Sequence, residues 1–137
     1  MVKVVLDSNI WVSAILWGGL PERVVFLQKN HTIEIALSQE IFDETKQTLF
    51  KPKLQRKLAD LGFTVDACLD LIARTSVMYP IQFLEVPELR DPKDAMVLAT
   101  AIASQADAII SGDSDLLILE MYQNIPIFTA KQFLDSL

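Results

Sequence analysis

The sequence predicts an α/β sandwich that is built on a mainly parallel β-sheet. Short runs rich in Val and Ile recur along the chain, and such runs are typical of strands buried on both faces. Segments with helix-capping residues stand between these runs, and strands that alternate with helices pair in parallel. The 137 residues suit one hydrophobic core and contain no linker or repeat, so we expect a single domain over residues 1–137.

The chain begins with a strand, two helices and a second strand. "VKVVL" is short, β-branched and apolar on both faces, which indicates a buried strand. Ser8 is the predicted cap of the helix "NIWVSAILW", which ends at Gly18 and Gly19. Pro21 opens a helix over about residues 21–30, and "TIEIAL" is the second strand.

Three helices and a third strand follow. Ser38 is the predicted cap of "QEIFDETKQTLF". Pro52 ends that helix and starts another, which stops at Gly62. Thr64 begins a helix that runs to about Arg74, and "SVMY" is the third strand, whereas "PIQFLEV" stays unassigned.

The last third repeats the alternation of helix and strand. The helix in "RDPKDAMVLATAIASQ" has Asp91 as its N-cap, Pro92 at its first position and Asp94 in its first turn. "ADAII" is a strand, "SGDSDLLILEM" a loop with a short helix, and "IPIF" the last strand. Thr129 and Gln132 have the spacing of a capping box for the final helix.

Aspartates follow two of the predicted strands directly. Asp7 follows the first strand, and Asp113 and Asp115 follow "ADAII". Because binding sites in open parallel sheets form outside the carboxyl ends of strands, these three carboxylates meet if the two strands are neighbours. A single aspartate at a strand end is more often a turn former or a helix cap. The hypothesis of a shared site therefore depends on the occurrence of several such aspartates together, and not on any one of them.

Three further acidic residues are candidates for the same site. Asp91 and Asp94 lie at a helix start, which the pattern alone places at the opposite edge of the sheet. Glu44 lies on a largely apolar helix face, where a buried carboxylate needs a partner. Clustered carboxylates cannot all stay ionised without positive charge, and no Lys or Arg adjoins Asp7 or "GDSD" in the sequence. A divalent cation with oxygen ligands is the remaining counter-charge.

The composition argues against several other functions. His31 is the only histidine, which disfavours a zinc site or a Ser-His-Asp triad, and the four glycines form no phosphate-binding loop. Cys68 is the only cysteine, so no internal disulfide can form. The N-terminus lacks a signal-peptide layout, and no apolar run is long enough to span a bilayer. We therefore expect a cytoplasmic protein without a membrane segment.

The charges and the apolar content both bear on binding partners. A net charge of −6 argues against a protein that coats nucleic acid through bulk electrostatics. One segment is nevertheless basic, and its members are Lys46, Lys51, Lys53, Arg56 and Lys57. It is either a solvated helix face, which is the more ordinary interpretation, or a contact for an RNA backbone. The hydrophobic fraction of 51% predicts a further buried surface, in a homodimer or with a protein partner.

Four segments match those of a known family in order and over nearly the whole chain: "VVLDSNIWVSAIL", "LSQEIFDETKQTL", "DPKDAMVLATAIASQADAIISGDSDLL" and "IPIFTAKQFL". They resemble the PIN domain family, most closely its bacterial and archaeal toxins of type II toxin–antitoxin systems, which are related to VapC ribonucleases. The resemblance implies a three-layer α/β/α sandwich with a Rossmann-like sheet and a metal-dependent ribonuclease. It also implies that the helix of Asp94 starts beside the acidic cleft.

The resemblance assigns a role to each candidate residue by position. It implies that the catalytic metal ligands for Mg²⁺ or Mn²⁺ are Asp7, Glu44, Asp94 and Asp113, with Asp115 as an additional ligand. It implies that these ligands are supported by the polar residues Ser8, Asn9, Asp91 and Ser111. Ser8 and Ser111 stand where threonine is commoner in the family, a change that keeps the hydroxyl group.

The function implied is that of an endoribonuclease that leaves 5′-phosphate and 3′-hydroxyl ends and is the toxin of a toxin–antitoxin pair. RNA, an antitoxin protein and a second copy of the chain are the expected partners. An alternative is a catalytically weak or inactive module whose acidic cleft binds a basic antitoxin segment, because arginine satisfies carboxylates as a cation does. A phosphate-accepting receiver-like domain is a third hypothesis, but Lys131 is a poor candidate for the lysine that it requires.

Overall fold

The computed structural model describes residues 1–137, in which strands and helices alternate along the chain. The strands are β1 (Val2–Leu6), β2 (Ile33–Leu37), β3 (Val77–Met78), β4 (Ala108–Ile110), β5 (Met121–Tyr122) and β6 (Ile125–Phe128). The helices are α1 (Ser8–Leu16), α2 (Gly19–Phe26), α3 (Gln39–Leu49), α4 (Pro52–Leu61), α5 (Val65–Thr75), α6 (Pro92–Ser104), α7 (Ser114–Leu117) and α8 (Ala130–Asp135). A 3₁₀ helix over Leu27–Asn30 follows α2.

The strands form one sheet in the order β3-β2-β1-β4-β6-β5. All neighbouring pairs are parallel except β5 and β6. The chain adds β2 and β3 on one side of β1 and then returns to add β4 on the other side. The order of connections thus reverses between β1 and β4, and such a reversal is where open parallel sheets form binding crevices.

The predicted fold class, a three-layer α/β/α sandwich with a mainly parallel sheet, is confirmed. The central strands supply its core, since Val4, Val5, Leu6, Ile109 and Ile110 are all fully buried. These residues are consecutive along their strands, as the sequence predicts for strands covered on both faces. A smaller cluster of buried side chains attaches α4 and α5 to α1 and α3.

Helix α6 runs antiparallel to the strands and so begins at their carboxyl edge. Near its middle, the Thr100 hydroxyl donates to Oγ of Ser38, which follows β2, at 2.8 Å. At its end, the carbonyl of Ser104 accepts from Nζ of Lys3, near the start of β1, at 2.9 Å. The expectation that this helix starts at the opposite edge is therefore wrong. A crossover helix must return the chain to the amino edge before the next parallel strand can begin.

Most predicted helix starts agree with the structure. The hydroxyls of Ser38, Thr64 and Thr129 accept backbone N–H groups three residues further on. Thr129 and Gln132 form the predicted capping box. The residues of "PIQFLEV", by contrast, form neither a helix nor a strand.

Several boundaries differ from the sequence-based expectation. The cap of α1 is Asp7 rather than Ser8, because Oδ1 of Asp7 accepts the N–H of Ile10 at 2.8 Å. Helix α2 begins at Gly19, before the proline expected to open it. Strand β5 was not expected at all. It pairs with β6 through a turn in which Gln123 and Asn124 have φ values of 47° and 67°, as a two-residue hairpin requires.

Several large apolar side chains remain at the surface. Trp17, Phe26, Phe63 and Phe83 are exposed, whereas Trp11 is buried on α1. The homodimer expected from the apolar content stays a prediction. No single helix is both long and apolar enough to cross a membrane, and the segments Ser8–Leu16 and Gly19–Asn30 meet those criteria only as a pair bent by 103°.

We expect Leu98→Ala to lower the free energy of unfolding by about 2–5 kcal/mol, because Leu98 is completely buried where α6 lies on the sheet. Urea denaturation followed by circular dichroism measures this change. Phe83→Ala removes a larger side chain that is 91% exposed, and its effect should stay within about 0.5 kcal/mol. Equal losses in the two variants would contradict the assignment of the core.

Candidate metal centre

A chain of hydrogen bonds joins the carboxyl ends of β1 and β4. The register pairs Leu6 with Ile110, so that Asp7 and Ser111 follow at the same edge. The N–H of Asp113 donates to Oγ of Ser111 at 2.9 Å, and the Ser111 hydroxyl donates to Oδ2 of Asp7 in a short hydrogen bond. Because Ser111 is fully buried and Asp7 is nearly so, this contact fixes the Asp7 carboxylate in one orientation.

Asp113 is held by the start of the short helix that follows it. Its Oδ1 accepts the N–H of Asp115 at 2.7 Å and that of Leu116 at 3.4 Å, which makes Asp113 the N-cap of α7. These two hydrogen bonds fix the orientation of the Asp113 carboxylate. The "GDSD" sequence thus forms a tight turn that presents two carboxylates, those of Asp113 and Asp115, at the end of β4.

Asp94, Asp113 and Asp115 form a compact acidic cluster. Each offers one carboxylate oxygen, and these three oxygens all lie within 4.8 Å of one another. Asp94 comes from the first turn of α6, whereas the other two come from the loop after β4. All three side chains are partly exposed, so the cluster is open to solvent. The donor set of hard, convergent oxygens fits a divalent cation such as Mg²⁺ or Mn²⁺.

The crowding of negative charge is reflected in the pKa of Asp94. Partial burial is the main cause that raises this pKa, and together with the nearby charges of Asp113, Asp91, Asp115 and Asp7 it takes the value from its usual 3.8 to about 7. At neutral pH, a proton therefore competes for the cluster in the absence of metal. A bound cation would replace that proton as the counter-charge.

Asp7 and Glu44 lie near this cluster but outside the set of three close oxygens. Burial raises the pKa of the Asp7 carboxyl, and the charge of Asp113 adds to this effect. Burial also raises the pKa of Glu44, which the positive charge of Lys93 opposes and the negative charges of Asp91 and Asp7 reinforce. These mutual effects indicate that all the predicted acidic residues meet at one edge of the sheet.

Comparison with known proteins gives the family. The family model described as the PIN domain matches residues 3–115. This chain belongs to the PIN domain family. No curated protein gives a significant sequence match.

Two solved structures resemble this PIN domain in fold. One is VapBC2 from Rickettsia felis bound to a DNA fragment from its promoter, with a TM-score of 0.62, 14% identity, and coverage of 91% of this chain and 96% of that one. The other is VapC20 of Mycobacterium tuberculosis, a Sarcin-Ricin loop cleaving toxin, with a TM-score of 0.61, 12% identity, and coverage of 90% and 98%. At these identities the likeness concerns the fold alone.

The predicted supporting residues of the PIN domain differ in their surroundings. Ser8 is buried in the first turn of α1, and Ser111 forms the contact to Asp7 described above. Asn9 is exposed. Asp91 is also exposed, and its Oδ1 accepts the N–H of Lys93 at 3.0 Å, as expected of an N-cap. Of these four residues, Ser111 has the clearest geometric link to the acidic site.

Sequence reasoning missed two basic residues at the rim of the cleft. Nη2 of Arg90 lies 2.8 Å from Oδ1 of Asp115, and its Nε lies 3.3 Å from Oδ2. Lys93 is the main positive influence on Glu44. No basic residue adjoins these acids along the sequence, but Arg90 adjoins Asp115 in space, because the loop before α6 brings it across. A pattern in the sequence could have indicated these basic residues. In "RDPKD", the basic Arg90 and Lys93 alternate with the acidic Asp91 and Asp94.

The basic segment near the end of α3 and on α4 has a different environment. None of its charged side chains forms an ion pair, and all are exposed except the partly buried Lys57. This arrangement fits a solvated helix surface as well as a contact for RNA. Its role in RNA binding stays a prediction.

We expect Ser111→Ala to lower the free energy of unfolding by about 1–3 kcal/mol. The change leaves Oδ2 of the buried Asp7 without its hydrogen-bond donor. Urea denaturation in EDTA measures it. Ser114→Ala removes a hydroxyl from an exposed residue at the start of α7 and should have little effect. If the two variants are equally stable, the buried contact does not support the site.

We expect Asp94→Asn to stabilise the metal-free protein increasingly as pH rises. The folded state holds the Asp94 proton up to about pH 7, whereas the unfolded chain releases it near 3.8, so wild-type stability falls as pH rises through this range. Asparagine carries no titrating proton and avoids that loss. Urea denaturation in EDTA at pH 4, 6 and 8 tests this, with Asp60→Asn on the exposed surface of α4 as the control. A stability difference that does not change with pH would contradict the interpretation.

Proposed function

We propose that this PIN domain protein is a Mg²⁺- or Mn²⁺-dependent endoribonuclease and the toxin of a toxin–antitoxin pair. The observation that carries the proposal is the convergence of the Asp94, Asp113 and Asp115 oxygens within 4.8 Å, at the carboxyl edge of the sheet. Asp7 and Glu44 lie in the same cleft. Membership of the PIN domain family and the likeness in fold to a toxin that cleaves the Sarcin-Ricin loop support the same function.

The residues that would hold the metal are Asp94, Asp113 and Asp115, with Asp7 and Glu44 beside them. A divalent cation, when bound, lowers the pKa of water toward neutrality and offsets the negative charge of a phosphodiester. The chain itself supplies orientation, because Ser111 fixes Asp7 and the start of α7 fixes Asp113. Without a cation the acidic cleft repels phosphate, so RNA cleavage should depend on the metal.

The proposed partners and location extend beyond the catalytic site. RNA is the substrate, and an antitoxin protein is the regulatory partner, as the likeness in fold to VapBC2 supports. A homodimer, a single domain over residues 1–137 and a cytoplasmic location are further parts of the proposal. They rest on the apolar content, the length and the composition of the sequence.

A second candidate function is a catalytically weak module whose cleft binds a basic segment of an antitoxin. The bidentate contact between Arg90 and Asp115 favours it, because it demonstrates that a guanidinium fits among these carboxylates. An arginine from a partner could satisfy the site in the same way. The presence of all five acidic residues in one cleft favours the nuclease.

We expect the purified protein to cleave single-stranded RNA with Mn²⁺ or Mg²⁺ and to be inactive in EDTA. Asp113→Asn should lower the rate by about a hundredfold or more, the size usual for the loss of one preorganised charge contact. Gel electrophoresis and mass spectrometry of the products should reveal 5′-phosphate and 3′-hydroxyl ends. Asp60→Asn is the matched control and should cleave normally.

Cleavage that continues in EDTA would contradict the role of the metal. Normal cleavage by Asp113→Asn would contradict the ligand assignment. A folded protein that binds Mn²⁺ but leaves every RNA intact would favour the partner-binding module instead.

A further inference from the structure

We propose that Arg90 is a phosphate-binding residue of the cleft. Its guanidinium pairs with Asp115, and it is released to a phosphate of the RNA backbone when a divalent cation occupies the carboxylates. This inference rests on the proposed nuclease function and identifies how that site receives its substrate.

The geometry places two functions on one carboxylate. Both oxygens of Asp115 are engaged by Arg90, at 2.8 Å and 3.3 Å. Asp115 is also one of the three residues whose oxygens lie within 4.8 Å of one another. A cation bound by this cluster and the Arg90 guanidinium are both positive and address the same side chain. They therefore compete for Asp115.

The contact between Arg90 and Asp115 is weak enough to exchange. The Arg90 side chain is 84% exposed and that of Asp115 is 30% exposed. Ion pairs in contact with water contribute little, because water and salt screen them and the long side chain loses freedom. Cation binding at the cluster can thus displace the guanidinium.

A guanidinium that leaves Asp115 has a suitable partner in the phosphate of RNA. The planar fork of arginine matches the oxygens of a phosphate as well as those of a carboxylate. Arg90 lies just before α6, whose first turn carries Asp94, so the released side chain stays beside the metal ligands. It is then within reach of a phosphodiester that is bound next to the cation.

The rest of the cleft makes such a residue necessary. The chain has a net charge of −6, and the cleft is lined by carboxylates, so the general electrostatic field does not attract RNA. Arg90, just before α6, and Lys93, in its first turn, bring positive charge to the rim, and both act on acidic residues of the site. They form a local basic patch directly beside the proposed chemistry.

The experiment compares Arg90→Gln with Arg74→Gln. Arg74 also pairs with an aspartate, Asp70, at 2.9 Å, but it does so on α5. Two quantities are measured for each protein: the affinity for Mn²⁺ alone, by electron paramagnetic resonance without RNA, and kcat and KM for a single-stranded RNA at several salt concentrations.

We expect Arg90→Gln to bind Mn²⁺ several-fold more tightly than the wild type, because a competing positive charge has gone. We expect its KM to rise about tenfold with little change in kcat. The slope of log(kcat/KM) against log[salt] should become shallower by about 0.7, the contribution of one phosphate contact on a single strand. Arg74→Gln should match the wild type in every measurement.

Two outcomes overturn the proposal. Weaker Mn²⁺ binding by Arg90→Gln, whatever its KM, means that Arg90 orients Asp115 as a metal ligand. An unchanged KM and salt slope means that Arg90 does not contact phosphate. If the wild type cleaves no RNA, the proposed nuclease function fails separately, and fluorescence anisotropy with the same RNA in Mn²⁺ then supplies the affinity and the salt slope in place of KM.

Discussion

The parallel pairing of β1 with β4 is the interaction on which the rest of the site depends. Its register brings Asp7 and Ser111, which are 104 residues apart in sequence, into hydrogen-bond contact. The pairing is stabilised by fully buried apolar side chains on both strands, so the acidic edge lies directly above the buried core. Helix α6 packs against β1, β2 and β4 and adds Asp94 to the same edge. The position of the proposed metal centre thus follows from the sheet topology.

Three of these carboxylates lie at helix starts on this edge, and this position offsets part of the electrostatic free energy that it costs to bring them close together. Asp7 caps α1, Asp113 caps α7, and Asp94 lies in the first turn of α6. The N–H groups and partial positive charge at a helix start favour ionised carboxylates. This stabilisation is incomplete, because burial and the neighbouring charges still raise the pKa of Asp94 to about 7. A need for positive charge therefore remains, and it is what a cation or a basic side chain supplies.

The sequence predicted the elements and the acidic edge well, because these depend on local signals. Buried apolar runs, helix caps and the aspartates after strands are all visible within a few residues. The features that were missed depend on contacts between distant segments. The salt bridge from Arg90 to Asp115 arises because an irregular loop crosses the cleft, and no local pattern reports such a path. Asp7 rather than Ser8 caps α1, because one oxygen of its carboxylate accepts a helix N–H while the other contacts Ser111 at the acidic edge.

The interchange of counter-charges connects the two candidate functions. A proton on Asp94, the guanidinium of Arg90 on Asp115 and the proposed divalent cation are alternative counter-charges for the acidic cluster. More than one kind of positive charge can therefore neutralise the cleft. A partner that inserted an arginine would occupy the place of both the proposed metal and Arg90, and would thereby block the proposed catalysis without distorting the fold. On this view, nuclease activity and control by a basic partner are two uses of one excess of negative charge.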